Sequence, residues 1–222
     1  NTTNAAMAYN HYVESMQGGD MEQAAKDIWE AKGYIDKSAA HESTQNDAKT
    51  LMYKGMIYID MPMIGEAAGH TEIKALDPKK TMEAGFESLK LANEKDTKGK
   101  YEDKINGYCY QKKSMYYNAG IKGFQDKDYE AAMGGFGLST AYSEVLGMSD
   151  SAGYFNTGLA AYNVKEWEVV QESFAKCVEY GYRPGSSVSY LTEAYKSQGK
   201  LGEAENMLKE QLAKYPGDKD IM

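Results

Sequence analysis

The sequence predicts an all-α protein in which antiparallel pairs of helices repeat along the chain. Only four of its 222 residues are proline, whereas Ala, Glu, Lys, Met and Leu, which lose little side-chain entropy in a helix, are plentiful. A pattern of large and small residues recurs about every 34 residues. Short polar or glycine-containing segments, such as 126–128 and 198–200, interrupt the helical period between the two helices of a pair.

The first two predicted units occupy about 5–38 and 48–99. The first is indicated by residues at helical spacing in its second helix: Met21, Ala24, Ile28 and Ala31. The second is indicated by large and small residues in both of its helices: Tyr53, Gly55, Tyr58, Gly85, Leu89 and Ala92. An insertion at 61–80 separates these two helices. We expect the insertion to form a loop at the end of the hairpin, and a lid beside a binding groove is the alternative.

The remaining units occupy about 113–146, 151–184 and 185–218, so that a single array covers 1–222. The segment YYNAGI at 116–121 is matched 38 residues later by YFNTGL at 154–159. In the second helices a large, a small and a large residue recur in register: Tyr129, Ala132 and Phe136, then Trp167, Val170 and Phe174, then Leu201, Ala204 and Leu208. Residues 101–124 are predicted to form one long helix that joins two halves of the array.

Small residues are expected where the two helices of a pair approach closely. Gly120 and Gly158 of the first helices are predicted to face Ala132 and Val170 of the second helices. The alternative is a single helical bundle, because stripes at helical spacing occur in any helical protein.

The recurring residues resemble the tetratricopeptide repeat (TPR), which has a period of about 34 residues. The last unit matches best, with Leu191, Tyr195, Gly199, Leu201, Ala204, Leu208 and Pro216 in the signature places. The resemblance implies a right-handed α-solenoid (a TPR superhelix) of about five repeats, whose first helices line the concave side. The sequence departs from the pattern at Val170 and Gly85, which replace the usual alanine, and at Thr192, which replaces the usual small residue of the first helix. The insertion in the second unit is a further departure.

Composition and charge exclude several classes of partner. The net charge is -8 and Arg183 is the only arginine, whereas phosphate-binding proteins use basic patches and guanidinium groups. We therefore expect no nucleic-acid partner. The sequence has no apolar stretch of roughly 20 residues and no polybasic segment, so we expect no membrane insertion.

The segment Asn1 to Ala6 is small and polar, which is typical of the residues that follow a removed leader. The chain resembles exported bacterial TPR-containing proteins, and a periplasmic location is expected, with a cytoplasmic one left open.

No catalytic or metal-binding pattern is present, so we predict a non-enzyme without cofactor or metal. His11, His41 and His70 lack the spacing of metal ligands. His70 lies near Glu66 and Glu72, and it is predicted to be a solvated loop residue rather than a ligand. The glycines at 134, 135 and 137 fall inside a predicted helix and do not form a phosphate-binding loop. Cys109 and Cys177 are isolated and are predicted to be buried.

The predicted binding surface is a ladder of asparagines on the first helices. Asn10, Asn118 and Asn156 each lie 11 residues before the first large residue of the second helix. A side-chain amide donates and accepts hydrogen bonds, so such a ladder can hold the backbone of an extended peptide. The TPR arm of O-linked GlcNAc transferases is similar in this feature. Aromatic residues accompany the ladder, and they are Tyr9, Tyr53, Tyr117, Phe155, Tyr162 and Tyr190. The alternative is that the amides bridge adjacent helices and the aromatic rings pack between them.

The sequence therefore predicts a non-catalytic scaffold that binds an extended peptide or partner protein in a concave groove. The carboxylate clamp of chaperone-binding TPR domains is disfavoured, because Asn156 fits its pattern and Tyr117, Ile121, Ser186 and Tyr190 do not. One alternative is an assembly module that self-associates through Met207, Leu208 and Leu212 of its last helix. Another is a receptor for small ligands or glycans that uses the tyrosine-rich wall.

Overall fold

A computed structural model describes residues 1–216, which contain helices and no strand. The all-α prediction is confirmed over this range. The last two residues of the predicted fifth unit lie outside it. The helices are α1 (Thr2–Gly18), α2 (Met21–Ala39), α3 (Ala48–Ala68), α4 (Thr71–Lys74), α5 (Pro78–Lys95), α6 (Glu102–Gln125), α7 (Tyr129–Val145), α8 (Ser151–Val164), α9 (Trp167–Glu179), α10 (Pro184–Ser197) and α11 (Leu201–Lys214).

The chain divides into two compact units, and the boundary between Tyr108 and Cys109 falls inside α6. The long helix predicted over 101–124 is therefore confirmed as one element. The N-terminal unit contains α1 to α5 and the start of α6. The C-terminal unit contains the rest of α6 and α7 to α11. The continuous array of five repeats over the whole chain stays a prediction.

A tight turn joins α1 and α2 in the N-terminal unit. Gly19 has a φ of 78°, and its N–H donates to the Met16 carbonyl at 3.2 Å. Residues with a side chain rarely adopt this left-handed conformation, which explains a glycine at this position. Asp20 then starts α2 by accepting a hydrogen bond from the Gln23 N–H at 3.0 Å. The two helices therefore run antiparallel, as predicted for the first unit.

Helix α3 packs against α1, α2 and α5, and its buried residues lie on all of its sides. The contact with α5 is close because both helices carry glycine there. A Cβ atom at Gly85 would lie 3.0 Å from the Gly55 carbonyl oxygen and 2.6 Å from Ile59. The two glycines thus allow the backbones to approach each other.

The prediction of a loop at 61–80 is wrong for the first part of that segment. Helix α3 continues through Pro62 to Ala68, and Met61 and Ile64 are buried. The short helix α4 follows, and its Ile73 side chain covers the bare backbone of Gly65. The segment is ordered because it buries apolar side chains, which a surface loop would not do.

His70 is also placed differently from the prediction of a solvated loop residue. It directly precedes α4, its side chain is 17% exposed, and its ring centroid lies 5.8 Å from that of Trp29. Its Nδ1 atom lies 3.3 Å from a carboxylate oxygen of Glu72. The imidazole therefore packs against α2 instead of standing in solvent.

In the C-terminal unit, α7, α8, α9 and α10 each pack against the next helix along the chain. The glycines of the first helices meet partners other than those predicted. A Cβ atom at Gly120 would lie 2.6 Å from the Phe136 ring, and one at Gly158 would lie 2.7 Å from the Phe174 ring. Gly123 is the residue that faces Ala132. The nearest atoms to Gly120 and Gly158 thus belong to these rings rather than to Ala132 and Val170, because each ring extends over the glycine from the next turn of its helix.

Both cysteines are free and buried, which confirms the prediction. Burial raises the pKa of the Cys109 thiol to about 12 and the pKa of the Cys177 thiol to about 11. Both side chains are therefore neutral thiols at physiological pH. Across the described residues, no helix has both the length and the apolar character required to cross a membrane.

Candidate peptide-binding surface

The three predicted ladder asparagines lie at the surface of their units. Asn10 on α1 and Asn118 on α6 are exposed, and Asn156 on α8 is half-buried. Within residues 1–216, none of their side-chain amides forms a hydrogen bond. Asn10 belongs to the N-terminal unit, whereas Asn118 and Asn156 belong to the C-terminal unit. The alternative that these amides bridge adjacent helices therefore has no hydrogen bond to support it.

Three of the predicted aromatic residues are buried in the cores of their units. Tyr9, Tyr53 and Phe155 are 5%, 6% and 6% exposed. The Tyr9 hydroxyl donates to Asp60 Oδ2 at 2.8 Å, and Lys104 Nζ donates to the Tyr53 hydroxyl at 2.7 Å. These side chains pack and position their helices, and they present little surface to a partner.

The other three aromatic residues are half-buried and belong to the C-terminal unit. The Tyr117 ring contacts the edge of Phe136, with centroids 5.6 Å apart. Tyr162 and Tyr190 meet at 5.0 Å with an interplanar angle of 73°. Tyr190 also stacks on Phe174 at 4.7 Å and 12°, so that one face of its ring is covered.

An apolar cavity of about 250 Å³ opens between α6, α7 and α8. It is lined by Ile121, Phe124, Gln125, Phe136, Asn156 and Leu159. Of these six, the sequence had singled out only Asn156 for binding. The sequence could have indicated two more lining residues, Ile121 and Leu159. Each follows a ladder asparagine by three residues in the matched segments 116–121 and 154–159. Residues three apart are neighbours on a helix surface.

A second cavity, of about 300 Å³, lies between α8, α10 and α11 and is more polar. Its lining includes Tyr162, Tyr190, Glu193 and Lys196. The structure thus brings Tyr162 and Tyr190 together in one cavity and places Asn156 in the other. Helix α8 contributes Asn156 and Leu159 to the first cavity and Tyr162 to the second.

The N-terminus of α8 is fixed by Asp150. One carboxylate oxygen of Asp150 accepts a hydrogen bond from the Gly153 N–H at 2.9 Å, and the other accepts one from the Ser143 hydroxyl at 2.8 Å. Lys113 Nζ lies 3.5 Å from the second oxygen. Because Asp150 caps α8 while it contacts α6 and α7, it orients the helix that carries Asn156 and Leu159.

Charge is absent from the middle of this surface. Helix α8 contains no Asp, Glu, Lys or Arg over its 14 residues. Glu193 and Lys196 stand at the second cavity, and within the described part of the chain neither forms an ion pair. In residues 1–216, no three His, Cys, Asp or Glu side chains are grouped so that they could hold a metal ion. The chemistry that this surface offers is amide hydrogen bonding and apolar contact.

Comparison with solved structures finds similarity to MamA. A crystal structure of MamA protein is 18% identical, covers 96% of this chain and 96% of its own, and has a TM-score of 0.38. A second MamA crystal structure is 20% identical, covers 90% of this chain and 92% of its own, and also has a TM-score of 0.38. A MamA AMB-1 structure is 14% identical, covers 99% of this chain and 96% of its own, and has a TM-score of 0.37. Because these TM-scores lie below 0.5, the fold rests on the helices of this chain itself. No protein-family model and no curated protein matches the chain.

Proposed function

We propose that this chain is a non-catalytic protein-interaction module. In this proposal, its C-terminal unit holds an extended segment of a partner protein along the surface that contains Asn118, Ile121, Asn156, Leu159, Tyr162 and Tyr190, here called the α6–α8–α10 surface. Asn10 has the equivalent role in the N-terminal unit.

The proposal depends mainly on the free amides of Asn118 and Asn156. They stand at equivalent places in consecutive repeats, 38 residues apart, and reach solvent without a hydrogen-bond partner in the described residues. Each amide offers two N–H donors and one carbonyl acceptor, so it can accept from a peptide N–H and donate to a peptide carbonyl. An extended segment has no hydrogen bonds within itself, so all of its backbone groups are available to such amides.

In the experiment, a displayed library of random dodecapeptides is screened against the purified chain, and the peptides that bind are recovered. We expect the affinity of the recovered peptides to fall about 2- to 12-fold for Asn118→Ala and likewise for Asn156→Ala, because each removes a hydrogen bond worth roughly 0.5–1.5 kcal/mol. Fluorescence anisotropy measures the affinity, and circular dichroism verifies that helicity is unchanged.

Asn163→Ala is the matched control. Asn163 is an exposed asparagine on the same helix, but its amide already donates to the Leu159 carbonyl at 2.8 Å. We expect this variant to bind the peptides as the wild type does. If Asn118→Ala and Asn156→Ala also bind as the wild type does while remaining helical, the proposed role of the amides is wrong.

A further inference from the structure

The apolar cavity between α6, α7 and α8 is lined by five residues besides Asn156, and none of those five has been assigned a role in holding a peptide backbone. We propose that it is a specificity pocket that takes one large apolar side chain, such as leucine, methionine or phenylalanine, from the bound segment. This inference rests on the proposed function and specifies which kind of segment the α6–α8–α10 surface selects.

The size and lining of the cavity suit such a side chain. Its volume is about 250 Å³, whereas an apolar cavity of about 150 Å³ already accommodates benzene. Ile121, Phe124, Phe136 and Leu159 supply apolar carbon around it. Polar groups come only from the uncharged amides of Gln125 and Asn156. A large apolar side chain would therefore leave water for a surface that it matches chemically.

The absence of charge in the cavity disfavours charged side chains of the bound segment. None of the six lining residues is ionisable, and α8 carries no charge along its whole length, although 26% of the residues of the chain are charged. A lysine or glutamate side chain in this cavity would lose its hydration without meeting a counter-ion. The cavity therefore discriminates against charged side chains as well as favouring apolar ones.

The pocket is placed correctly relative to the amides. On α6, Ile121 follows Asn118 by one turn, and on α8, Leu159 follows Asn156 by one turn. Successive side chains of an extended segment point to opposite sides. A segment whose backbone contacts the two amides would thus direct one side chain into the cavity and its neighbours toward solvent.

The inner wall of the pocket is already formed in the absence of a partner. Phe136 is 3% exposed, and its ring is held between Tyr117, at 5.6 Å, and the bare backbone of Gly120. Since this wall needs no rearrangement, little binding free energy is lost to ordering it.

The experiment is a double-mutant cycle between the selected dodecapeptides and the pocket. We expect the peptides to share one large apolar position, and its replacement by alanine to weaken binding to the wild type by roughly 10- to 100-fold. Leu159→Trp fills the cavity, so the same replacement should then change affinity by less than about 3-fold.

Two further variants keep this test decisive. Ala175→Trp, which adds the same side chain at an exposed position of α9, should bind peptides as the wild type does. Gln125→Lys brings an ammonium group to an exposed position at the cavity without altering the core. It should lower the affinity for peptides that carry the large apolar residue.

The outcomes separate the two proposals. Peptides that need Asn118 and Asn156 but tolerate alanine or lysine at every position would overturn the pocket and leave the proposed function standing. Peptides whose binding depends on neither amide would overturn the proposed function, and the pocket inference with it.

Discussion

Gly134 and Gly135 are neighbours in α7, but their surroundings differ completely. A Cβ atom at Gly135 would lie 2.5 Å from the Gly120 nitrogen and 2.9 Å from the Tyr116 carbonyl oxygen, whereas one at Gly134 would meet nothing within 4 Å. Only Gly135 is required by the packing of α7 against α6. The sequence placed both glycines inside a helix but could not distinguish them, because the difference depends on which side of α7 meets its neighbour.

This difference gives a prediction about stability. We expect Gly134→Ala to raise the free energy of unfolding by about 0.5–1 kcal/mol, because alanine has the higher helix propensity and the site is open. Gly135→Ala should lower it by about 1–3 kcal/mol through overpacking against backbone that cannot move aside. Urea denaturation measures both. Equal effects of the two substitutions would contradict the close contact.

The buried thiols give a second prediction at the scale of single residues. Because burial raises the pKa of Cys177 to about 11 and that of Cys109 to about 12, we expect Ellman's reagent to modify the native chain at pH 8 at least roughly 100-fold more slowly than the unfolded chain. Rapid modification of the native chain would show that these residues are accessible.

The same pKa shifts affect stability in one direction. In the unfolded chain a thiol ionises above a pH of about 8.5, while the native thiols remain protonated. The native state then binds more protons than the unfolded state. The contribution of each cysteine is complete below that pH and is lost as the pH rises to its native pKa, about 11 for Cys177 and about 12 for Cys109.

At the scale of helices, the sequence predicted the elements whose apolar residues lie on one side and missed the end of α3. Helix α2 shows a clear stripe, whereas α3 is buried on all sides and so has no periodic pattern to recognise. Pro62 added to the difficulty, since proline usually interrupts a helix. The contact between Ile73 and Gly65 joins residues that only the folded chain brings together.

That contact makes α4 more important than its four residues suggest. We expect Ile73→Ala to lower the free energy of unfolding by about 2–5 kcal/mol, because Ile73 is 2% exposed and its loss leaves a cavity against Gly65. Met63→Ala serves as the control, since Met63 on α3 is 48% exposed and should change stability little. A change below about 0.5 kcal/mol for Ile73→Ala would mean that α4 is not docked on α3.

The proposed binding surface was predictable from the sequence only in part. The register of the repeats pointed to asparagines that lie at the surface and to the tyrosines of the second cavity. It also selected Tyr9, Tyr53 and Phe155, which are buried, because a repeat pattern does not separate residues that face a partner from residues that face the neighbouring helix. The apolar cavity was missed because its lining comes from three helices, and no single helix shows it.

At the scale of the whole molecule, the chain has a net charge of -8, but α8 contains no charged residue. Binding that uses amides and apolar contact should therefore depend little on ionic strength. We expect the affinity of the selected peptides to change less than about 2-fold between roughly 50 and 300 mM NaCl, because screening acts on charged pairs. Affinity that fell steeply with salt would show that Glu193, Lys196 or other charges dominate recognition.

The pairing of an asparagine with an apolar residue one turn later has a further consequence for how such a chain can evolve. Asn118 with Ile121, and Asn156 with Leu159, are each encoded within a single repeat. In the proposed binding mode, duplication of one repeat in the gene would copy an amide together with the apolar residue one turn later, so that the partner motif could lengthen by one step.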